Sequence, residues 1–540
     1  MRKLSASLSL ALAVCLWAQT GSPEKVDLAV LHRIKTEAFA SRSKVMDTAF
    51  YLTDVYGPRL TGSPAAKQAG DWAAKALSSW GLSNVAMEKW AFAGAGWSCT
   101  RYVAMMTEPE FQPIIGFAQP WSLGTNGPVT GEAVLAVIAN PEDMAKYKGK
   151  LKGKFVLTAT PHASEMVTTA FAHRLTDAEL AAAEESPDPT SGNPASLPLG
   201  FPPRNPAAGG ARGGRGPGGP GGRGAQNALR AQLVKFYKDE GVLGLLTPGN
   251  GPDGGTVVGT GSQSTEENAQ IASIIVTNEH YNRIARLLDK DIPVKLELDI
   301  QTKFTPPADS FNIVAEIPGT NPNAGTVMLG GHFDSWTGGT GATDNAAGSA
   351  VAMEAIRILK ALDLKMPRTV RLALWTGEEE GSLGSRAYVR DHIQGPDGPL
   401  PEQSKISAYY NLDNGSGKIR GMYMQDNDAV RPIFEAWVAP LHDLGADALT
   451  IRATGSTDHT NFDNTGVPGF QFIQDPLEYA SRTHHSNMDV YDRLQVNDLE
   501  QASAVMAWFV YNTATRPEML PRKPIMPGRG GGRGRGTGGQ

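Results

Sequence analysis

The stretch Gly330–Ala350, GGHFDSWTGGTGATDNAAGSA, places His332, Asp334 and Asp344 close together in a run of glycine and alanine. Small residues leave the backbone free to turn tightly and leave room beside the polar groups. An apolar strand, TVMLGG, leads into the stretch, and a helical pattern, AGSAVAMEAIRILKAL, leaves it. A strand, a loop carrying ligand-type side chains and a helix form the repeating unit of an α/β sheet.

The same unit recurs downstream. RLALWTG runs into Glu378, Glu379 and Glu380, and AYYNL runs into Asp413. From about residue 303 to 520 strands and helices alternate. This predicts an α/β fold with a mostly parallel central sheet flanked by helices. Ligands on such sheets bind at the C-terminal ends of the strands, so these separate strand ends point to one shared site. A single charged strand end would mean little, because chains meet solvent there. A lone His332 would read as structural.

A fourth segment, PGFQFIQDPLEYASRTHHSNMDVYDRL, supplies adjacent His484 and His485. Imidazole together with carboxylate favours Zn²⁺ over Ca²⁺ or Mg²⁺. Two histidines with three or four carboxylates exceed the needs of one catalytic zinc. They suit two zincs sharing a carboxylate, and Asp344, lying between the other ligands, is the candidate bridge. Asp334, two residues beyond His332, points the same way on a strand; it reads as the carboxylate that orients the imidazole. The glutamate triplet alone does not say which member does what.

The ordered set GGHFDSW, GATDNAAG, TGEEEGSLGS, NLDNGSG and THHSNMDV resembles the secreted and lysosomal zinc aminopeptidase/glutamate carboxypeptidase family, over roughly residues 25 to 520. The resemblance implies that His332 and Asp413 hold one zinc, that Glu379 and His485 hold the other, and that Asp344 bridges them. It implies Glu378 as general base, His484 facing the substrate, and a cis peptide between Asp344 and Asn345. His485 rather than His484 takes the metal because Asp489 follows it at the family's spacing. The activity implied is that of an exopeptidase acting on peptides or dipeptides. A zinc carboxypeptidase on glutamyl or N-blocked substrates and a receptor-like module without catalysis are the competing readings. Family resemblance also suggests a homodimer. Asp458 and His459 in GSTDHTNFDNTGVPG read as loop structure near the site, not as ligands.

Away from the site, the chain of 540 residues predicts more than one domain. MRK followed by LSASLSLALAVCLWA reads as a signal peptide over 1–18, with a secreted or periplasmic product and no membrane span after cleavage. The catalytic domain is expected at 24–121 and 303–520. Its first part reads as helices, including an amphipathic one in SPAAKQAGDWAAKALSSWGL, and then irregular chain. Between them, 122–302 carries short β-type runs and resembles the family's protease-associated insert. Within it, 191–226 is a Gly/Pro/Arg-rich stretch that reads as disordered, echoed by a Gly/Arg-rich tail at 524–540. With a net charge of −5 these runs read as solvated, with no nucleic-acid partner. Cys15 and Cys99 are the two cysteines, and Cys99 reads as buried.

Overall fold

The computed structural model describes residues 24–163, 166–185, 198–199, 220–252, 254–306 and 308–524. The expected signal peptide at 1–18, the tail beyond 524 and most of the stretch at 191–226 lie outside the described residues. Residues 220–226 belong to a helix, Pro220–Glu240, rather than to a disordered run. Proline at a helix start costs no hydrogen bond, and the continuation AQNALRAQLVKFYKDE, rich in good helix formers, carries the helix despite the weak glycines.

The first sheet contains β1 (Ser83–Trp90), β2 (Ser310–Ile317), β3 (Thr326–His332), β4 (Thr369–Trp375), β5 (Ile406–Asn411), β6 (Ile419–Tyr423), β7 (Ala448–Thr450) and β8 (Gly469–Gln474). Their order is β1-β2-β4-β3-β5-β8-β6-β7. The four central strands, β4, β3, β5 and β8, run parallel, while β1, β2 and β6 pair antiparallel. Parallel strands need both faces covered, and side chains alternate accordingly. Val327, Leu329, Leu372, Leu374 and Tyr410 face the core with helices Ala347–Ala361 and Val496–Thr515. Met328, Ala373, Trp375 and Tyr409 face a second core with Tyr388 and Phe462.

A second eight-stranded sheet is built from Gln112–Pro113, Gly96–Glu108, Lys295–Thr305, Val129–Leu135, Lys154–Leu157, Gly244–Pro248, Ser273–Val276 and Gly116–Ala118, in that order. It therefore begins at Gly96, not at 122, because Gly96–Glu108 pairs along its length with Lys295–Thr305. The chain at 83–118 is stranded rather than irregular. β1 is an edge strand with a mostly half-exposed pattern, so its apolar signal is weak. Cys99 is exposed rather than buried. It lies where the register shifts between Cys99 and Arg101, on an outward-facing part of the strand.

The amphipathic helix forms as Pro64–Ser79, with the Ser63 hydroxyl accepting from Ala66 N at 3.1 Å and Gly81 in a left-handed conformation just beyond its end. On the sheet's outer side, His392 lies 3.4 Å from Glu88 Oε2 and 3.5 Å from Glu402 Oε2, and its ring stacks on Tyr388. Hydrogen bonds to Glu402 and Glu88 raise His392 to about 9. A raised folded pKa adds stability that is complete below the unfolded value of about 6.5 and is lost as pH climbs through about 9. Urea denaturation of wild type and His392→Gln is expected to show a wild-type advantage near pH 6 that disappears above the folded pKa. A constant difference across that window would rule out the ionic role.

Candidate metal centre

Four parallel strands deliver the candidate ligands from one edge of the sheet. His332 is the last residue of β3, Glu378 and Glu379 follow β4, Asp413 follows β5, and His484 and His485 lie in the loop after β8. Asp344 sits in the turn 342–346 that opens helix Ala347–Ala361, and its peptide bond to Asn345 is cis. Two glycines make this path possible. Gly341 has φ +69°, and a Cβ there would lie 2.2 Å from Ser335 Cβ; at Gly348 one would lie 2.1 Å from Leu412 O. Asn345 fastens the turn by donating to Leu412 O at 2.9 Å and accepting from Gly348 N at 2.9 Å.

The structure brings the predicted residues together. His332 Nε2 lies 3.0 Å from Asp344 Oδ1 and 3.2 Å from Asp413 Oδ1. His485 Nε2 lies 3.0 Å from Glu379 Oε2 and 3.3 Å from Asp344 Oδ2. Asp344 thus turns one oxygen to each histidine. Ligand atoms of His332, Glu378 and Asp413 fall within 4.8 Å of one another, as do those of His332, Asp344 and Glu379, and those of Asp344, His484 and His485. His484 is the outermost member, 3.8 Å from Asp344 Oδ2, stacked on His485 and 40% exposed.

Asp334 is fully buried. Its carboxylate accepts from Thr61 Oγ1 at 2.9 Å, Glu378 N at 3.2 Å and Glu379 N at 3.4 Å. The His332 Nδ1 atom is nearer the backbone carbonyl of Asp334, at 3.1 Å, than its carboxylate, at 3.6 Å. One residue therefore orients the imidazole and the glutamate loop together.

Charge and burial compete throughout. Burial alone would depress His332, but Asp413, Asp334 and Asp344 carry it well above the ordinary histidine range. His485 is raised likewise, against burial, by Glu379 and Asp344. Burial pushes Glu379 up to about 7, with Asp344 adding to the rise. Glu378 is raised well above the ordinary carboxylate range by burial, with Asp413, Asp458 and Glu379 adding to the rise against the pull of His332. These are groups that a divalent cation would bind in place of protons.

Sequence reading missed the supports. Thr61 and Arg59 come from YGPRLTG, which has no ligand pattern. Asp458 and His459 do stay outside the ligand groups, yet both are fully buried, and Ser385 Oγ donates to Asp458. Asp489 is a further support. Its carboxylate accepts from Thr343 N at 2.6 Å, Thr343 Oγ1 at 2.7 Å and Asp344 N at 3.2 Å, capping the turn that carries Asp344.

Residues 312–510 match the profile of peptidase family M28. They form a peptidase family M28 domain. The chain is 32% identical to bovine carboxypeptidase Q over 264 residues, 49% of this chain and 54% of that protein. The match thus spans about half the length of that relative. A Peptidase M28 precursor from Shewanella amazonensis SB2B superposes with a TM-score of 0.63 at 25% identity, covering 92% of this chain and 98% of that one. A zinc aminopeptidase from Bacillus subtilis shares the fold, with a TM-score of 0.51 at 18% identity, over 87% of this chain and 95% of its own.

Removing the cap should be felt in the M28 domain. Asp489→Ala leaves buried donors at Thr343 and Asp344 without an acceptor, at about 1–3 kcal/mol each. Chemical denaturation should report a loss of that order, and an unchanged midpoint would show that the turn holds itself.

Proposed function

We propose that the protein is a two-zinc metallo-exopeptidase that hydrolyses N-terminal or dipeptide bonds. The observation that carries the reading is Asp344, whose two oxygens face His332 and His485 separately. The donor set is of zinc type, two imidazoles with carboxylates. Glu379 Oε1 is buried without a hydrogen-bond partner, as is Asp344 Oδ2 despite its approach to His485, so oxygen lone pairs remain to be satisfied. His332 and Asp413 would hold one zinc, Glu379 and His485 the other, and Asp344 both. When bound, the pair supplies Lewis-acid polarisation of a carbonyl and a lowered pKa for water.

The chain's own residues handle the proton. Glu378 is fixed at its N–H by Asp334 and at Oε1 by Ser382 Oγ, 3.1 Å away. Its second carboxylate oxygen is left to take a proton from the attacking water and return it to the leaving amine. A carboxyl raised by burial suits both transfers. His484, half exposed at the rim, would donate to the developing oxyanion. The second sheet's unit, read as protease-associated-like, bonds to the histidine loop through Val257, Val258 and Gly259 and is assigned no catalytic role. The leader-like 1–18 accords with secretion or a periplasmic location.

The name of the bovine relative favours a second reading, a carboxypeptidase, for which the sequence resemblance implies glutamyl or N-blocked substrates. Free-amine and N-acylated dipeptides assayed side by side separate the two; exclusive cleavage of the acylated series would displace the aminopeptidase reading. Glu378→Gln is expected to lower kcat by about 10²- to 10⁴-fold with zinc content unchanged by elemental analysis. Full turnover in that variant would remove Glu378 from the base role.

A further inference from the structure

His485 is held in the left-handed backbone region, with φ +59°. A non-glycine residue persists there only where its surroundings over-determine it. The loop after β8 has turn bonds of its own on either side of this point, from His484 N to Tyr479 O and from Ser486 N to Thr483 O, and further bonds reach it from the second sheet's unit. Gly259 N donates to His485 O at 3.0 Å, and Val258 forms an antiparallel bridge with Ser486. Asn487 N donates to Val257 O at 3.1 Å.

The Asn487 side chain then adds one more rung. Its Oδ1 accepts from Val257 N at 2.7 Å, and its Nδ2 donates to Gly255 O at 3.0 Å. An amide can replace a peptide group in both directions at once; a carboxylate can only accept, and a methyl can do neither. The 254–259 segment is itself anchored. Glu279, in the first turn of helix Asn278–Asp289, accepts from Gly254 N, Asn250 N donates to Val258 O, and Thr256 and Val257 are buried.

We propose that Asn487 is a positioning residue: it couples the second sheet's unit to His485 and so sets the affinity of the metal position that His485 shares with Glu379. This rests on the two-zinc reading above. Truncating Asn487 frees the backbone beside His485, while His332 and Asp413 are held by β3 and β5 and do not depend on it. The loss should therefore be selective for one metal.

The test is a chelator-competition titration of zinc on the full-length protein, comparing wild type, Asn487→Ala and Asn487→Asp. Wild type is expected to hold two zinc ions. In Asn487→Ala one of them should weaken by about 10- to 100-fold, the usual effect of losing a residue that supports a ligand, with the other unchanged. Asn487→Asp, equal in size but lacking the donor, should show the same selectivity, and it decides the matter alone if the alanine variant fails to fold. Both affinities unchanged, or both reduced alike, would overturn the positioning role. A wild-type protein holding fewer than two zinc ions would overturn the two-zinc reading, and this one with it, before any variant is compared.

Discussion

Everything around the candidate site answers one constraint, the burial of many carboxylates in one place. Asp334, Asp344, Asp413 and Asp489 are buried, and the Glu379 side chain is 3% exposed. An isolated buried carboxylate is prohibitively costly unless it is paired, hydrogen-bonded or metal-bound. The cations on hand are His332, His485 and Arg59. Arg59 is fully buried, and burial lowers it only to about 10, so it keeps its charge at neutral pH. It spends its donors on the carbonyls of Leu52, Phe333, Thr340 and Gly341. One guanidinium thus offsets the negative field and ties down the loop between His332 and Asp344.

Sheet geometry explains how so much charge can be gathered without unfolding its surroundings. The central strands are largely apolar, Arg371, Ser407 and Gln471 excepted, before they reach their C-terminal ends. The parallel register then places those ends side by side. The candidate ligands gather where the strands stop, and those next to a strand end inherit the rigidity of the sheet. Backbone donors from the loops also contribute: Glu378 N and Glu379 N reach Asp334, and Asp344 N reaches Asp489.

What the sequence made legible follows from this arrangement. The clustering of His332, Glu379 and Asp413 could be read because each stands at or within a few residues of a strand end, and apolar runs mark strand ends well; Asp344 and His485 were singled out by the motifs around them. The central strands were legible for the same reason. β1 was not, because an edge strand with one half-exposed face lacks a continuous apolar run. The start of the second sheet at Gly96 was hidden too, since Gly96–Glu108 is defined by pairing with residues some two hundred positions later. Thr61, Arg59 and Asp489 escaped as supports because their roles exist only in contact: a hydroxyl, a guanidinium and a carboxylate aimed at backbone or at another side chain.

The histidine loop, like the turn that carries Asp344, lies well beyond the end of its strand. His332 ends β3, and Asp413 stands two residues past the end of β5, so the sheet itself fixes both. His485 lies well beyond Gln474, the last residue of β8. A ligand that far from its strand needs support from elsewhere. It comes from the second sheet's unit on two sides: the bridge from Val258 to Ser486 on one, and on the other the bridge from His173 to Leu477, reinforced by Ser481 Oγ donating to Phe171 O at 2.6 Å. At the base of the loop, Asp475 is fully buried and accepts from Arg174, Arg420 and Leu175 N, so that Arg174 and Leu175 are locked to the catalytic sheet. The second sheet's unit thus supplies what the central sheet does not, a fixed backbone for a candidate ligand well beyond its strand.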